Sequence, residues 1–324
     1  RVNLIGVYGA TTPWLFDLLQ VTYANVAGVV GVSAAYSHIP RFLIAIVAML
    51  IPTFLMGGTL PLLVKHFTGQ VDEAQSVTSR IYGINTLGAT LGAFSAGFLL
   101  LPILGITQTL LLAATLNILV GLGVYRLLKS AGQQVFEFGK AKPAPPVVED
   151  EEDGTVHSSL LLFGFALSGF AALLYQVVWI HSLILVIGVS IYGFSTVLTV
   201  FLGGIGLGSL WVGRFLRYRN ARHSLRIAFY LQLGIALTAV ISLTLISQLP
   251  ILYVQGWSMF NQNFALFQAY GFLLTALIIL VPTLLMGALF PLITGLWSRS
   301  AGGVGRGVGE AYGALSLIHI SEPT

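Results

Sequence analysis

The apolar positions of this chain fall in long unbroken stretches, with short polar segments between them and no alternation of period two. Eight stretches reach the roughly 20 residues that a helix needs to cross a bilayer. They are Val2–Val21, Phe42–Val64, Ile81–Leu104, Thr107–Leu127, Leu160–Val186, Ile191–Val212, Ile227–Leu249 and Leu266–Ile293, and a ninth starts near Ala311. The pattern predicts an all-α fold, a polytopic transmembrane helical bundle.

One of these stretches repeats. Ile51–Leu63 (IPTFLMGGTLPLL) returns 230 positions later as Val281–Ile293 (VPTLLMGALFPLI), with seven identities that include both prolines and the Met56/Met286 and Gly57/Gly287 pairs. At the same offset Ile5 falls on Ile235, and Tyr82-Gly83 falls on Tyr312-Gly313. A repeat at fixed spacing marks a duplicated unit. Proline kinks a helix and frees a backbone carbonyl, so Pro52/Pro61 and Pro282/Pro291 predict the same kink in both copies. Span seven then matches span one, span eight span two, and span nine span three, while spans four, five and six are unmatched. The implied unit has six helices. Six is even, so successive units enter the membrane from the same face, as in the parallel halves of major facilitators. On this reading residues 1–128 are the last four helices of one unit and residues 158–314 the first four, and the start of a fifth, of the next. On the same reading the start at Arg1, without a methionine or signal-peptide pattern, is what an internal fragment is expected to show.

Composition agrees: hydrophobic residues are 56%, charged residues 8%, and mean hydropathy is +0.91, against about 25% charged in soluble domains. The 37 glycines weaken helices in water but allow close helix approach in lipid. The chain has no cysteine, which excludes disulfides and thiolate metal sites. The net charge of +4 does not point to nucleic acid, because the bases sit in short loops. If loops alternate between the faces, fourteen of the fifteen lysines and arginines share one side, and Arg41 alone is opposite. By the positive-inside rule that side is cytoplasmic. Residues 129–157, with Pro143, Pro145, Pro146 and the acidic run Glu149–Asp153, form a cytosolic linker.

Several blocks resemble a known family. Ser168–Trp179 (SGFAALLYQVVW), Tyr192–Leu198 (YGFSTVL), the two proline-bearing helices and Tyr82–Gly88 (YGINTLG) are similar to the membrane part of the fused major-facilitator/spermidine-synthase family, across nearly all hydrophobic spans. The resemblance implies a multispan protein of the bacterial inner membrane with a C-terminal cytosolic aminopropyltransferase-like domain, which uses decarboxylated S-adenosylmethionine and a polyamine. No strand-bounded GGGDG loop or catalytic Asp cluster is present in this chain, so no catalytic residue and no cofactor is assigned to it. The pattern also departs from the family: Gln176 and Gln232 stand where glutamates are expected, His181 where an arginine is expected, and the loop Gly213–Arg219 lacks the family Asp. After Ala314 the repeat register breaks. Residues 315–324 (LSLIHISEPT) resemble a translated sequencing adaptor and are read as a non-native tail.

Ionisable residues within spans are costly and default to functional suspects; only Asp17 and His181 qualify, both near span ends. The candidate cavity-lining set is Gln176, His181, Asn85, Thr86 and Gln232, against the plainer reading that amides and hydroxyls join helices. Gly204-Ile-Gly206-Leu-Gly208 and the Gly303–Gly309 run lack the strand that a dinucleotide fingerprint needs. Gly204/Gly208 and Gly88/Gly92 fit small-xxx-small helix packing. No His or carboxylate cluster has metal spacing. Two functions follow as expectations: a solute transporter, for a polyamine or related amine, and a membrane scaffold for a synthase-like domain. The partners expected are the bilayer and that domain; oligomeric state is not legible.

Overall fold

A computed structural model describes residues 2–30, 38–68, 73–130, 158–215, 221–260, 262–300 and 308–309. The linker, the ninth span and the tail expected from the sequence lie outside the described residues. Among the described residues there are helices and no strand. In order they are α1 (Val2–Val30), α2 (His38–Gly57), α3 (Thr59–Phe67), α4 (Ala74–Ser95), a π-helical turn (Ala96–Leu100), α5 (Leu101–Ser130), α6 (Ser158–Ile187), α7 (Ile191–Phe215), α8 (Ala221–Phe260) and α9 (Phe264–Ser300).

Each of the eight complete predicted spans overlaps one of these helices, and six helical stretches among the described residues are long and apolar enough to cross a membrane. One stretch, Ala74–Leu127, is 54 residues long, about 80 Å at the helical rise and far beyond a hydrocarbon core of about 30 Å. Gly105 interrupts it at φ 75, ψ 178, between the third and fourth predicted spans. Helix α1 is not among the six; Thr11, Thr12, Asp17, Gln20, Thr22 and Asn25 dilute its hydropathy.

The prolines do not act alike in the two copies. Helix α9 runs unbroken through Pro282 and Pro291, whereas in the first copy helix α2 ends at Gly57 and α3 starts at Thr59. The Thr59 hydroxyl donates to the Met56 carbonyl at 2.7 Å across that break. Gly58 stands where the second copy has Ala288, and glycine is about 1 kcal/mol worse than alanine in a helix interior. The π turn precedes Pro102. There the Leu101 N–H reaches back five residues to the Ala96 carbonyl, a local rewinding that absorbs the hydrogen bond a proline cannot make.

The chain forms two compact units. Helices α1 and α2, the first two residues of α3 and most of α5 make one; the rest of α3, α4, the π turn and α6 to α9 make the other. In the first, α1 packs on α5 at Gly6, where a Cβ would lie 2.6 Å from Ile118 Cγ1. Helix α1 also braces α2: the Tyr8 hydroxyl donates to the Ala48 carbonyl, which is the carbonyl that Pro52, four residues on, leaves without its helical partner. In the second unit α7 lies between α4 and α9, and α8 packs along α9. Its core joins Trp179 and Leu183 of α6, Val197, Val200 and Phe201 of α7, Ala239 and Leu249 of α8, and Leu274, Ile278 and Ile279 of α9.

Candidate functional site

The defining feature of the second unit is how closely α7 meets its two neighbours. Toward α9, a Cβ on Gly208 would collide with the Leu284 carbonyl, and one on Gly204 would lie 2.7 Å from Thr283 Cβ and 3.3 Å from the Leu280 oxygen. The approach is mutual, since a Cβ on Gly287 of α9 would sit 2.6 Å from both the Cα and the carbonyl carbon of Ile205. Toward α4, a Cβ on Gly206 would lie 2.9 Å from Leu87 Cδ2, and one on Gly83 of α4 would lie 2.6 Å from Leu210 Cγ and 3.2 Å from the Gly206 oxygen. At 3.6 residues per turn Gly206 stands about 200° round the helix from Gly204. Helix α7 therefore has two bare faces on opposite sides, one for each neighbour.

Hydroxyl groups bind the α4–α7 face at one end. Ser79 donates to the Ser209 carbonyl, and Ser209 donates back to the Ser79 carbonyl at 3.0 Å. Gly213 leaves room for Ser79, and at Gly295 of α9 a Cβ would lie 2.7 Å from Gln75 Cβ. Helices α4, α7 and α9 thus converge on a polar junction in which Thr78, Ser79, Ser209, Thr294 and Ser298 are fully buried. Thr78 Oγ1 and Ser298 Oγ have no hydrogen-bond partner among the described residues; nor do Thr196 Oγ1 and Thr199 Oγ1 further along α7. On the α6–α8 side the Trp179 indole N–H donates to Ser242 Oγ at 2.9 Å, and Ser242 donates to the Ala239 carbonyl at 2.7 Å. A buried indole needs such a partner.

The five candidate lining residues lie on three helices: Asn85 and Thr86 on α4, Gln176 and His181 on α6, and Gln232 on α8. Among the described residues no hydrogen bond joins any two of them. Gln232 Oε1 accepts from Ser168 Oγ at 2.9 Å, which ties α6 to α8. Thr86 is buried and donates to the Tyr82 carbonyl of its own helix at 2.8 Å. His181 is exposed, and its Nδ1 is 2.9 Å from the Val177 carbonyl. Asn85 is exposed on α4 and Gln176 is half-buried on α6. Asp17 is exposed on α1. Of the two small-xxx-small pairs, Gly204/Gly208 makes the contact, while a Cβ on Gly88 or Gly92 would meet no described atom within 4 Å.

Sequence reasoning missed the α4 face of α7. Gly206 and Gly213 are its bare positions, met by Gly83 of α4, and Gly206 and Gly213 fall seven residues apart, two helical turns, which is the signal that would have found them. It also missed the Ser79–Ser209 and Trp179–Ser242 pairs, whose members lie 130 and 63 positions apart and carry no local signature. Among the described residues no group of His, Cys, Asp and Glu is placed to hold a metal ion. No protein-family model, curated protein sequence or solved structure matches this chain.

Proposed function

We propose that this chain is the membrane-embedded, transporter-like part of a protein similar to the fused major-facilitator/spermidine-synthase family, built from two parallel six-helix units in a bacterial inner membrane with its basic loops and linker cytoplasmic. It moves a polyamine or a related small solute by rocking one unit against the other around a midplane site. The observation that supports this reading is the α4–α7 seam: α4 precedes the linker, α7 follows it, and they meet where Leu210 seats against Gly83 and Leu87 against Gly206, beside a reciprocal serine pair. Shear motions are small slidings of closely packed helices such as these. The test is uptake and efflux of labelled spermidine, putrescine and a neutral control by vesicles containing the intact protein. Flux above empty vesicles supports the reading, and none for any amine ends it.

A second reading has its own support. The fully buried polar side chains of α4, α7 and α9 are hydroxyls, and hydroxyls do not neutralise a polyammonium ion, whose desolvation is costly. In this alternative the bundle is a scaffold that holds an aminopropyltransferase-like domain at the inner surface. Replacing the bundle by a single-span anchor separates the two: unchanged synthase activity and location favour the scaffold, and loss of solute movement favours the transporter.

A further inference from the structure

Helix α8 carries one continuous exposed stripe. Arg222, Arg226, Phe229, Leu233, Leu237 and Val240 follow one another at spacings of three or four residues, which at 3.6 residues per turn keeps them in one narrow sector of the helix. All are exposed, and the four apolar ones are each more than half so. Leu231, Ile235, Ala239 and Ser242 stand on the opposite side and are buried. The apolar span begins at Ile227, so Arg226 meets the edge of the hydrocarbon. Arg222, one turn out, lies about 6 Å further along the axis, within a headgroup layer of about 5–8 Å on each side of the bilayer.

The protein supplies no counter-charge there. Helix α8 holds no Asp or Glu, and Glu73, at the start of α4, is the one acid among the described residues of the same compact unit. Neither arginine has an ion pair among the described residues. Like charges four residues apart on a helix repel, and both arginines stand in the first two turns of α8, near the helix end that favours negative charge. Lys65, Lys129 and Arg214 stand instead in last turns, where a cation is stabilised.

We infer that this stripe binds an anionic phospholipid of the surrounding leaflet, with its phosphate against Arg222 and Arg226 and an acyl chain along Phe229 to Val240. A guanidinium takes a phosphate through two parallel N–H···O bonds. From Phe229 to Val240 the stripe runs about 16 Å at the helical rise, close to the roughly 15 Å of one hydrocarbon leaflet. The headgroup is anionic and not zwitterionic, because α8 offers no carboxylate to an ammonium and two arginines repel one. The inference rests on α8 crossing the bilayer, and on no part of the solute or scaffold readings.

The chain has no cysteine, so Phe229→Cys in the full 324-residue chain gives a unique site for a bimane fluorophore. Phe163→Cys on α6 is the control, since Phe163 is 67% exposed against 63% for Phe229 and also lies a few residues inside its span. In mixed nanodiscs, quenching by phosphatidylglycerol brominated on its acyl chains is compared with quenching by the equally brominated phosphatidylcholine. A severalfold preference for the anionic lipid is expected at 229 and none at 163. Each of Arg222→Gln and Arg226→Gln should lower that preference roughly fivefold, at about 1 kcal/mol per base near an anionic surface, and the pair should abolish it. Salt of about 1 M, where the screening length is about 3 Å, should abolish it without any substitution, which decides the matter if the double variant does not fold. Equal preference at 229 and 163, no preference at either, or a preference that survives both the double variant and high salt would overturn the inference, and the arginines would then simply extend into water. Absent amine flux leaves every one of these outcomes unchanged, so the two proposals fail separately.

Discussion

Gly287→Ala is the sharpest perturbation of the bundle. The new Cβ would sit 2.6 Å from the Cα and carbonyl carbon of Ile205, whereas carbon pairs settle at about 3.5–4.0 Å, so α7 and α9 must part by roughly 1 Å. A gap of that size forfeits about a quarter to a half of each dispersion contact, and a buried leucine-sized side chain makes about 40–60 contacts of 0.1–0.2 kcal/mol. Loss at one such side chain is therefore about 1–6 kcal/mol, and overpacking usually costs about 1–3 kcal/mol, so a loss of about 1–3 kcal/mol is expected. Gly88→Ala and Gly57→Ala add a Cβ where no described atom lies within 4 Å, and alanine is the better helix former by up to about 1 kcal/mol. Both should be neutral or slightly stabilising. Reversible unfolding in mixed micelles by SDS titration, followed by tryptophan fluorescence, measures all three. Agreement of the three variants within about 0.5 kcal/mol would refute the claim that backbone contact at Gly287 holds α7 to α9.

Combining Gly287→Ala with Gly208→Ala should cost little more than the first alone, because both force the same separation; additive losses in the same titration would mean two independent contacts. Trp179→Phe and Ser242→Ala each break the α6–α8 hydrogen bond, and Ser242→Ala also strands a buried indole N–H, so a double-mutant cycle should return a coupling near the membrane average of about 0.6 kcal/mol and below about 1.7. Cysteines at Arg222 and Lys129 should resist an impermeant thiol reagent in intact cells while one at Gln255 reacts. Reaction of the first pair would invert the orientation, and a split between Arg222 and Lys129 would dismantle the span order.

The fold class was legible because lipid imposes a simple rule: a backbone in hydrocarbon must satisfy its own hydrogen bonds, so long apolar stretches become helices. Even the break between the third and fourth spans was visible, at Gly105, where a positive φ suits a residue without a Cβ. The faces were less legible. Gly88/Gly92 and Gly204/Gly208 are the same motif in the sequence, yet one is open and the other is against backbone, because spacing identifies a helix that can be approached closely and not the helix that approaches it. The candidate lining residues met the same limit. Gln232 and Ser168 lie 64 positions apart, and only the packing of α6 on α8 brings them into one interhelical bond.

The repeated segment makes the point physically. Thirteen residues with seven identities form a continuous helix in α9 and a broken one at Gly57–Thr59. Proline alone does not decide the outcome, since Pro52 and Pro61 have counterparts in Pro282 and Pro291. Of the six differing positions, two fall at the break, Gly58 against Ala288, worth about 1 kcal/mol of helix propensity, and Thr59 against Leu289, also the weaker helix former; in the second copy, in addition, the Ile205 backbone of α7 lies on Gly287, one turn before Pro291. Near a proline, where one bond is already missing, a penalty of that size is enough to open the helix unless packing restores it. The continuous α9 thus goes with alanine and leucine at 288 and 289 and with the Ile205 backbone against Gly287, and the break in the first copy with glycine and threonine at the equivalent turn.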